Sequence, residues 1–167
     1  MRLTPDEQAM LAGARGDVVR EAIAYQLEVA RFWGAERFVP ITNAHMMGDI
    51  EVMGDAGLAF LERACERHAR CTVPITTNAR CVDFAHADAL GQDVAEVGKE
   101  RRIVDLLRGM NVVTCDTCIN YQTVYQPHSG EHLAWGDTGT VIWANSVCGA
   151  RSNFEGGPSA LAAAITG

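Results

Sequence analysis

The chain has 167 residues, 48% hydrophobic and 21% charged, with a net charge of −7, which suits one domain with a real core. The acidic balance excludes the basic stripe that nucleic-acid binding needs, and no run of about 18 apolar residues exists to span a membrane. The N-terminus, MRLTPDEQAML, lacks the basic-then-apolar layout of a secretory signal, so a cytoplasmic setting is expected, with the six cysteines kept as thiols or bound to metal.

The elements follow in a regular alternation. Asp17 is a candidate N-cap for a helix whose inner face is Val19, Ile23, Leu27 and Ala30, stopped by Gly34. ERFVPIT, 36–42, reads as a first strand. Asp55 is placed to cap a second helix that buries Leu58, Leu61 and Cys65, and CTVPIT, 71–76, reads as a second strand. Residues 92–108 predict the clearest helix. Its inner face is Val94, Val97, Val104 and Leu107, its outer face carries Lys99, Glu100, Arg101 and Arg102, and Gly109 ends it. NVVTC, 111–115, and TVIWA, 140–144, read as the third and fourth strands. A last helix starts near Pro158 and runs through the alanines.

This order predicts a single α/β domain over 1–167, a three-layer arrangement with a largely parallel sheet and flanking helices. Ligands of such sheets bind beyond the carboxyl ends of the strands. The polar clusters fall there: TNAH, TTNAR, CDTCINYQ and ANS each follow a predicted strand.

Cys115 and Cys118 have CxxC spacing, which leaves three readings open: a redox pair, part of a metal site, or plain thiols. The residues after Cys118 make a poor helix start, against a thioredoxin-type pair. No second CxxC or histidine pair completes a zinc ribbon. HSGEH, 128–132, is not the HExxH of a zinc protease. His45, at a strand end before a glycine, has a stronger claim to a site. In NSVCGARSNFEGG, 145–157, Ser146 offers a hydroxyl and Arg151 a fork for a carboxylate. There is no GxGxxG and no GxxxxGK[ST], so nucleotide binding has no support.

LTPDEQAMLAGARGDVVREAI, the AH at 44–45, GDAGLAFLE, VPITTN, GEHLAW and ANSVCGARSNFEGGPSALAAAITG together carry a resemblance. The chain resembles the N-terminal part of the large, catalytic region of aconitase X, in the aconitase superfamily of iron–sulfur hydro-lyases. The resemblance implies an aconitase-like domain and an iron–sulfur cluster, 2Fe–2S or 4Fe–4S, with three cysteine ligands. One of these, in a Thr-Cys motif ahead of a tyrosine, falls on Cys118; Asn120 stands where the family usually has proline. The other two ligands are expected in the remainder of the large subunit, and a small swivelling subunit or domain is expected to supply the serine base. Substrate contacts carried over are Gly48, Asp49, Ile50, Asn78, Ala79, Asp137 and Thr138, joined by His45, Ser146 and Arg151 from the residue reading.

GDTGTVIWANSV is more like the bacterial cis-3-hydroxy-L-proline dehydratases. The expected reaction is therefore dehydration of that small hydroxy acid to 1-pyrroline-2-carboxylate. Dehydration of mevalonate 5-phosphate by a large-subunit fragment, or a non-catalytic metal-free interaction domain, are the alternatives. The end of the chain in PSALAAAITG reads as a cut at a domain boundary, and the piece by itself is expected to be inactive.

Overall fold

A computed structural model describes all of residues 1–167. Five parallel strands form one sheet: β1 (Asn43–Met46), β2 (Ile75–Thr77), β3 (Val112–Val113), β4 (His132–Trp135) and β5 (Arg151–Ser152), in the order β3-β2-β1-β4-β5. Ala44 pairs with Ile75 on one side and Ala134 on the other, so the three central strands end level with one another. The helices are α1 (Pro5–Leu11), α2 (Asp17–Phe32), α3 (Ile50–Glu66), α4 (Val94–Gly109), α5 (Thr138–Trp143) and α6 (Gly156–Thr166).

Strand periodicity sends neighbouring side chains to opposite faces. Ala44, Met46, Ile75, Val112 and Ala134 join one apolar core with Val18 and Ala22 of α2, Leu61 of α3, Leu107 of α4 and Leu161 of α6. The opposite face is covered thinly, by a 3-10 turn (Asn120–Gln122), α5 and a π-helical turn (Ala144–Cys148). There Leu133 and Trp135 pack with Ala144, Ala150, Tyr121 and Tyr125. The three layers expected are present, with the third reduced to short turns.

Several sequence expectations shift. The first strand is Asn43–Met46, not 36–42. Pro40 has no N–H to give a ladder, and NAHM supplies the four buried positions instead. TVIWA is not a strand. Asp137 accepts from the Gly139 amide and caps α5 across this stretch, while the true fourth strand is HLAW. Strand propensity in a β-branched run yields where a cap and a packing face are missing for the strand. α2 begins at Asp17 itself, with Gly16 in the cap position. α3 is capped by Asp49 and kinks at Gly54 (φ 59°, ψ −174°), so Asp55 follows the kink instead of opening the helix. On α4, Glu100 turns inward and is fully buried, whereas Val94 is exposed. Pro158 is the third residue of α6.

Two glycines are required where the strand ends meet α6. A Cβ at Gly136 would lie 2.5 Å from the Gly156 carbonyl oxygen, and one at Gly157 only 2.2 Å from that of Met47. Backbone closeness there locks the exits of β1 and β4 onto the start of α6.

Candidate functional site

The exits of β1, β2, β3 and β4 form a polar rim at one end of the sheet. At β1, Gly48 and Asp49 lead into α3. The Asn78 side chain from β2 joins them: its Oδ1 accepts from the Gly48 amide at 2.8 Å and its Nδ2 donates to Asp49 Oδ2 at 2.7 Å. Asp49 Oδ1 takes the Val52 amide. Gly48 is also packed closely, since a Cβ there would sit 3.2 Å from Leu107 and Thr77 side-chain carbons. Ile50 is buried, and its amide donates to Glu100 Oε2 at 2.6 Å. Burial, more than any neighbour, raises the Glu100 pKa; the Ile50 amide works against the shift and the Asp49 charge adds to it.

The two cysteines of CDTC part company. The Cys115 thiol turns back to the sheet and donates to the Thr77 carbonyl at 3.0 Å. Cys118, half-buried, faces the rim. Burial pushes its thiol up, with the Ala79 backbone pulling the other way and the Asp137 carboxylate adding to the rise. Asp137 is half-buried at the exit of β4, followed by the exposed Thr138.

Beneath the rim, on the thinly covered face, His45 is fully buried. Its Nδ1 pairs with Thr76 Oγ1 at 2.7 Å, and the same hydroxyl accepts from Asn120 Nδ2 at 3.3 Å. His45 Nε2 and Asn120 Oδ1 are buried without a partner. Burial lowers the His45 pKa to about 4, against a smaller upward pull from Asp137, so the ring is neutral at pH 7. Trp135 seals this layer, donating from Nε1 to Asn43 Oδ1 at 2.9 Å.

The fold thus gathers Gly48, Asp49, Ile50, Asn78, Ala79, Cys118, Asp137 and Thr138 around one rim, with His45 below it. Ala79 and Thr138 are exposed, Cys118 and Asp137 half-exposed, and the rest shape the rim from underneath. His45, expected as a polar substrate contact, is sealed from solvent and instead joins the support. Two expected residues fall elsewhere. Arg151 lies opposite His132, at the starting end of β4, three residues and about 10 Å from the rim. Ser146 is exposed in the π-helical turn, eight residues beyond Thr138 and about 12 Å along the helical path. Arg151 lines instead a cavity of about 580 Å³ between α1, α2, residues 33–41 and α6.

Sequence reasoning placed Asn43 and Thr76 only within polar clusters, with no role of their own, and missed the ion pair of Arg80 with Asp116, 2.9 Å apart. The alternation Asn43, His45 against Ala44, Met46 was the available signal. Nothing local points to the pairing of Arg80 with Asp116, which are far apart in sequence.

Residues 1–167 match the family model described as the aconitase X first domain. The phosphomevalonate dehydratase large subunit of Methanocaldococcus jannaschii is 37% identical over all of this chain and 42% of its own length. That of Thermococcus kodakarensis is 36% identical, with 41% of its length covered. The cis-3-hydroxy-L-proline dehydratase of Pseudomonas aeruginosa is 33% identical over 99% of the chain and 28% of its own length. The crystal structure of Thermococcus kodakaraensis aconitase X, in its holo form, superposes with a TM-score of 0.89 at 34% identity, over the whole chain and 41% of that structure. The chain spans about two fifths of the length of the large subunits it matches.

Proposed function

The chain belongs to the aconitase X family, whose named relatives are dehydratases, and on that premise we propose that it forms the first domain of the catalytic part of an iron–sulfur hydro-lyase of the phosphomevalonate dehydratase type. Whole-chain identity supports this substrate branch. The archaeal large subunits stand at 36–37%, and the hydroxyproline enzymes of P. aeruginosa and Hypocrea jecorina at 33% and 28%. The preference drawn from GDTGTVIWANSV alone is therefore reversed.

The observation that carries the cofactor reading is the position of Cys118. A thiol is the donor type that iron–sulfur clusters take, and this one is free and half-buried just beyond the end of β3. No three His, Cys, Asp or Glu side chains converge within the chain, so Cys118 fits as one ligand of a set completed by residues outside 1–167. A bound cluster supplies a Lewis-acidic iron to ease departure of the hydroxyl.

The chain's own part is to bind and orient. Asn78 and Asp49 bond to each other, and Asn78 to the Gly48 amide, which fixes the turn that leads into α3. Thr138 offers an exposed hydroxyl, and Asp137 a carboxylate within reach of Cys118. The proton leaving carbon goes to a base contributed by a small subunit, the partner that the large-subunit relatives imply.

One observation favours the second reading, cis-3-hydroxy-L-proline. The rim carries Asp49, Asp116 and Asp137 against Arg80, which is already paired with Asp116. Such a rim suits a substrate bearing an ammonium group better than one bearing a phosphate. The test is the assembled enzyme offered both substrates, with iron measured alongside. Turnover of mevalonate 5-phosphate, iron lost in Cys118→Ala and iron kept in Cys115→Ala are expected. Turnover of hydroxyproline alone moves the chain to the second branch, and equal iron loss from both variants sinks the single-ligand assignment.

A further inference from the structure

The loops leaving β2 and β3 run side by side and are tied at three points. Cys115 Sγ donates to the Thr77 carbonyl at 3.0 Å, Asn120 Nδ2 donates to Thr76 Oγ1 at 3.3 Å, and Arg80 Nη2 meets Asp116 Oδ2 at 2.9 Å. The third tie is the only one made by charge, and both its ends are held. The Arg80 guanidinium lies over the Phe84 ring, 4.5 Å from its centroid. Arg101 lies 4.2 Å from the same centroid and donates to the Phe84 carbonyl at 3.0 Å. An Arg stacked in this way is restricted in rotamer and keeps its fork aimed.

At the other end, Asp116 has φ 52°. That left-handed conformation is one Asp adopts more readily than most residues with a Cβ, and here it sits where the side chain meets Arg80. Asp116 is two residues before Cys118, and Arg80 is next to Ala79. The bridge therefore sets where the Cys118 sulfur stands relative to Asn78 and Ala79.

We propose that Arg80 and Asp116 are a positioning pair that fixes the Cys118 loop against the Asn78 loop, and so governs how firmly an iron–sulfur cluster is seated on Cys118. This rests on the reading of Cys118 as a ligand. Partners one step removed from a metal orient its ligands, and their loss commonly weakens metal binding 10–100-fold. The pair touches neither iron nor substrate; it acts through Cys118.

The experiment uses the complete large subunit with its small partner and no substrate. Iron per assembly and the half-life of the cluster's visible absorbance under an iron chelator are followed for wild type, Arg80→Ala, Asp116→Asn and the swapped double variant Arg80→Asp/Asp116→Arg. The expected result is a half-life shortened about tenfold in Arg80→Ala, a smaller loss in Asp116→Asn, and partial recovery in the swap. Asp116→Asn is nearly isosteric and keeps the test open if Arg80→Ala does not fold. A wild-type half-life in Asp116→Asn and in whichever Arg80 variant folds overturns the proposal. So does a raised KM in Arg80→Ala with iron retention unchanged, which makes Arg80 a substrate contact. A wild-type assembly without iron instead removes the ligand reading on which the pair depends.

Discussion

The two faces of the sheet are built on opposite principles. Toward the helices, the strands present Ala44, Met46, Ile75, Val112 and Ala134, and four helices close over them in one apolar core. Toward the short turns, the same strands present Asn43, His45 and Thr76 beside Leu133 and Trp135. The first face gains its stability from area removed from water. The second spends buried positions on hydrogen-bonded polar groups, which stabilise only while each keeps its partner. Three atoms on that side, His45 Nε2, Asn120 Oδ1 and Trp143 Nε1, have none. The residues that could do chemistry, Cys118 and Asp137, are suspended above this second face. The lesson is that one face holds the fold and the other carries the polar rim proposed as the site.

That contrast can be broken in graded steps. The largest effect on stability is expected near pH 4 and below, from His45. Its pKa is about 4 in the folded chain against the ordinary 6.5, so below pH 6.5 the unfolded chain binds the extra proton. Stability from this group is whole above about pH 6.5, falls as pH drops, and is lost below about pH 4, a swing of about 3 kcal/mol. Urea unfolding of wild type and His45→Gln from pH 7.5 to 4 tests it; parallel curves for the two proteins disprove the buried neutral imidazole.

On the helix face, Leu107→Ala removes a fully buried side chain and is expected to cost about 3 kcal/mol, with no dependence on pH between 5 and 8. A pH-dependent loss there would blur the distinction between the faces. The smallest effect is expected from Asn43→Ala. It strips the acceptor from Trp135 Nε1 and leaves a buried donor unpaired, for about 1–2 kcal/mol. Near-UV circular dichroism of the tryptophans should change with it, and an unaltered spectrum with unaltered stability would mean that the Trp135 bond contributes nothing.

The legible part of the fold was the part governed by local rules. The α4 inner face was read from Val94, Val97, Val104 and Leu107, of which Val104 and Leu107 are buried and Val94 is exposed; β3 lies within a run read as a strand, and β2 overlaps the other run at Ile75 and Thr76. The misreadings were at β1 and β4, where strand positions are filled by Asn43, His45, His132 and Trp135 instead of β-branched residues. A strand buried on a polar, hydrogen-bonded face carries no hydrophobic run to betray it. TVIWA failed for the reciprocal reason: it looks like a strand, but the Asp137 cap and its partly exposed surroundings make it a helix. The strand-end rule pointed to the polar rim that the fold assembles, yet could not say that Arg151 and Ser146 stand outside it.

By itself, the sequence determined the α/β alternation, the placing of polar clusters after strands and the family, because each is written in neighbouring residues. Only the tertiary structure decided that Cys115 bonds back to Thr77 while Cys118 faces Asp137, that Glu100 turns inward to the Ile50 amide, and that Arg80 reaches Asp116. These pairings join residues brought together by parallel strands whose connections are tens of residues long. Their geometry is set by register and burial, which no local pattern encodes.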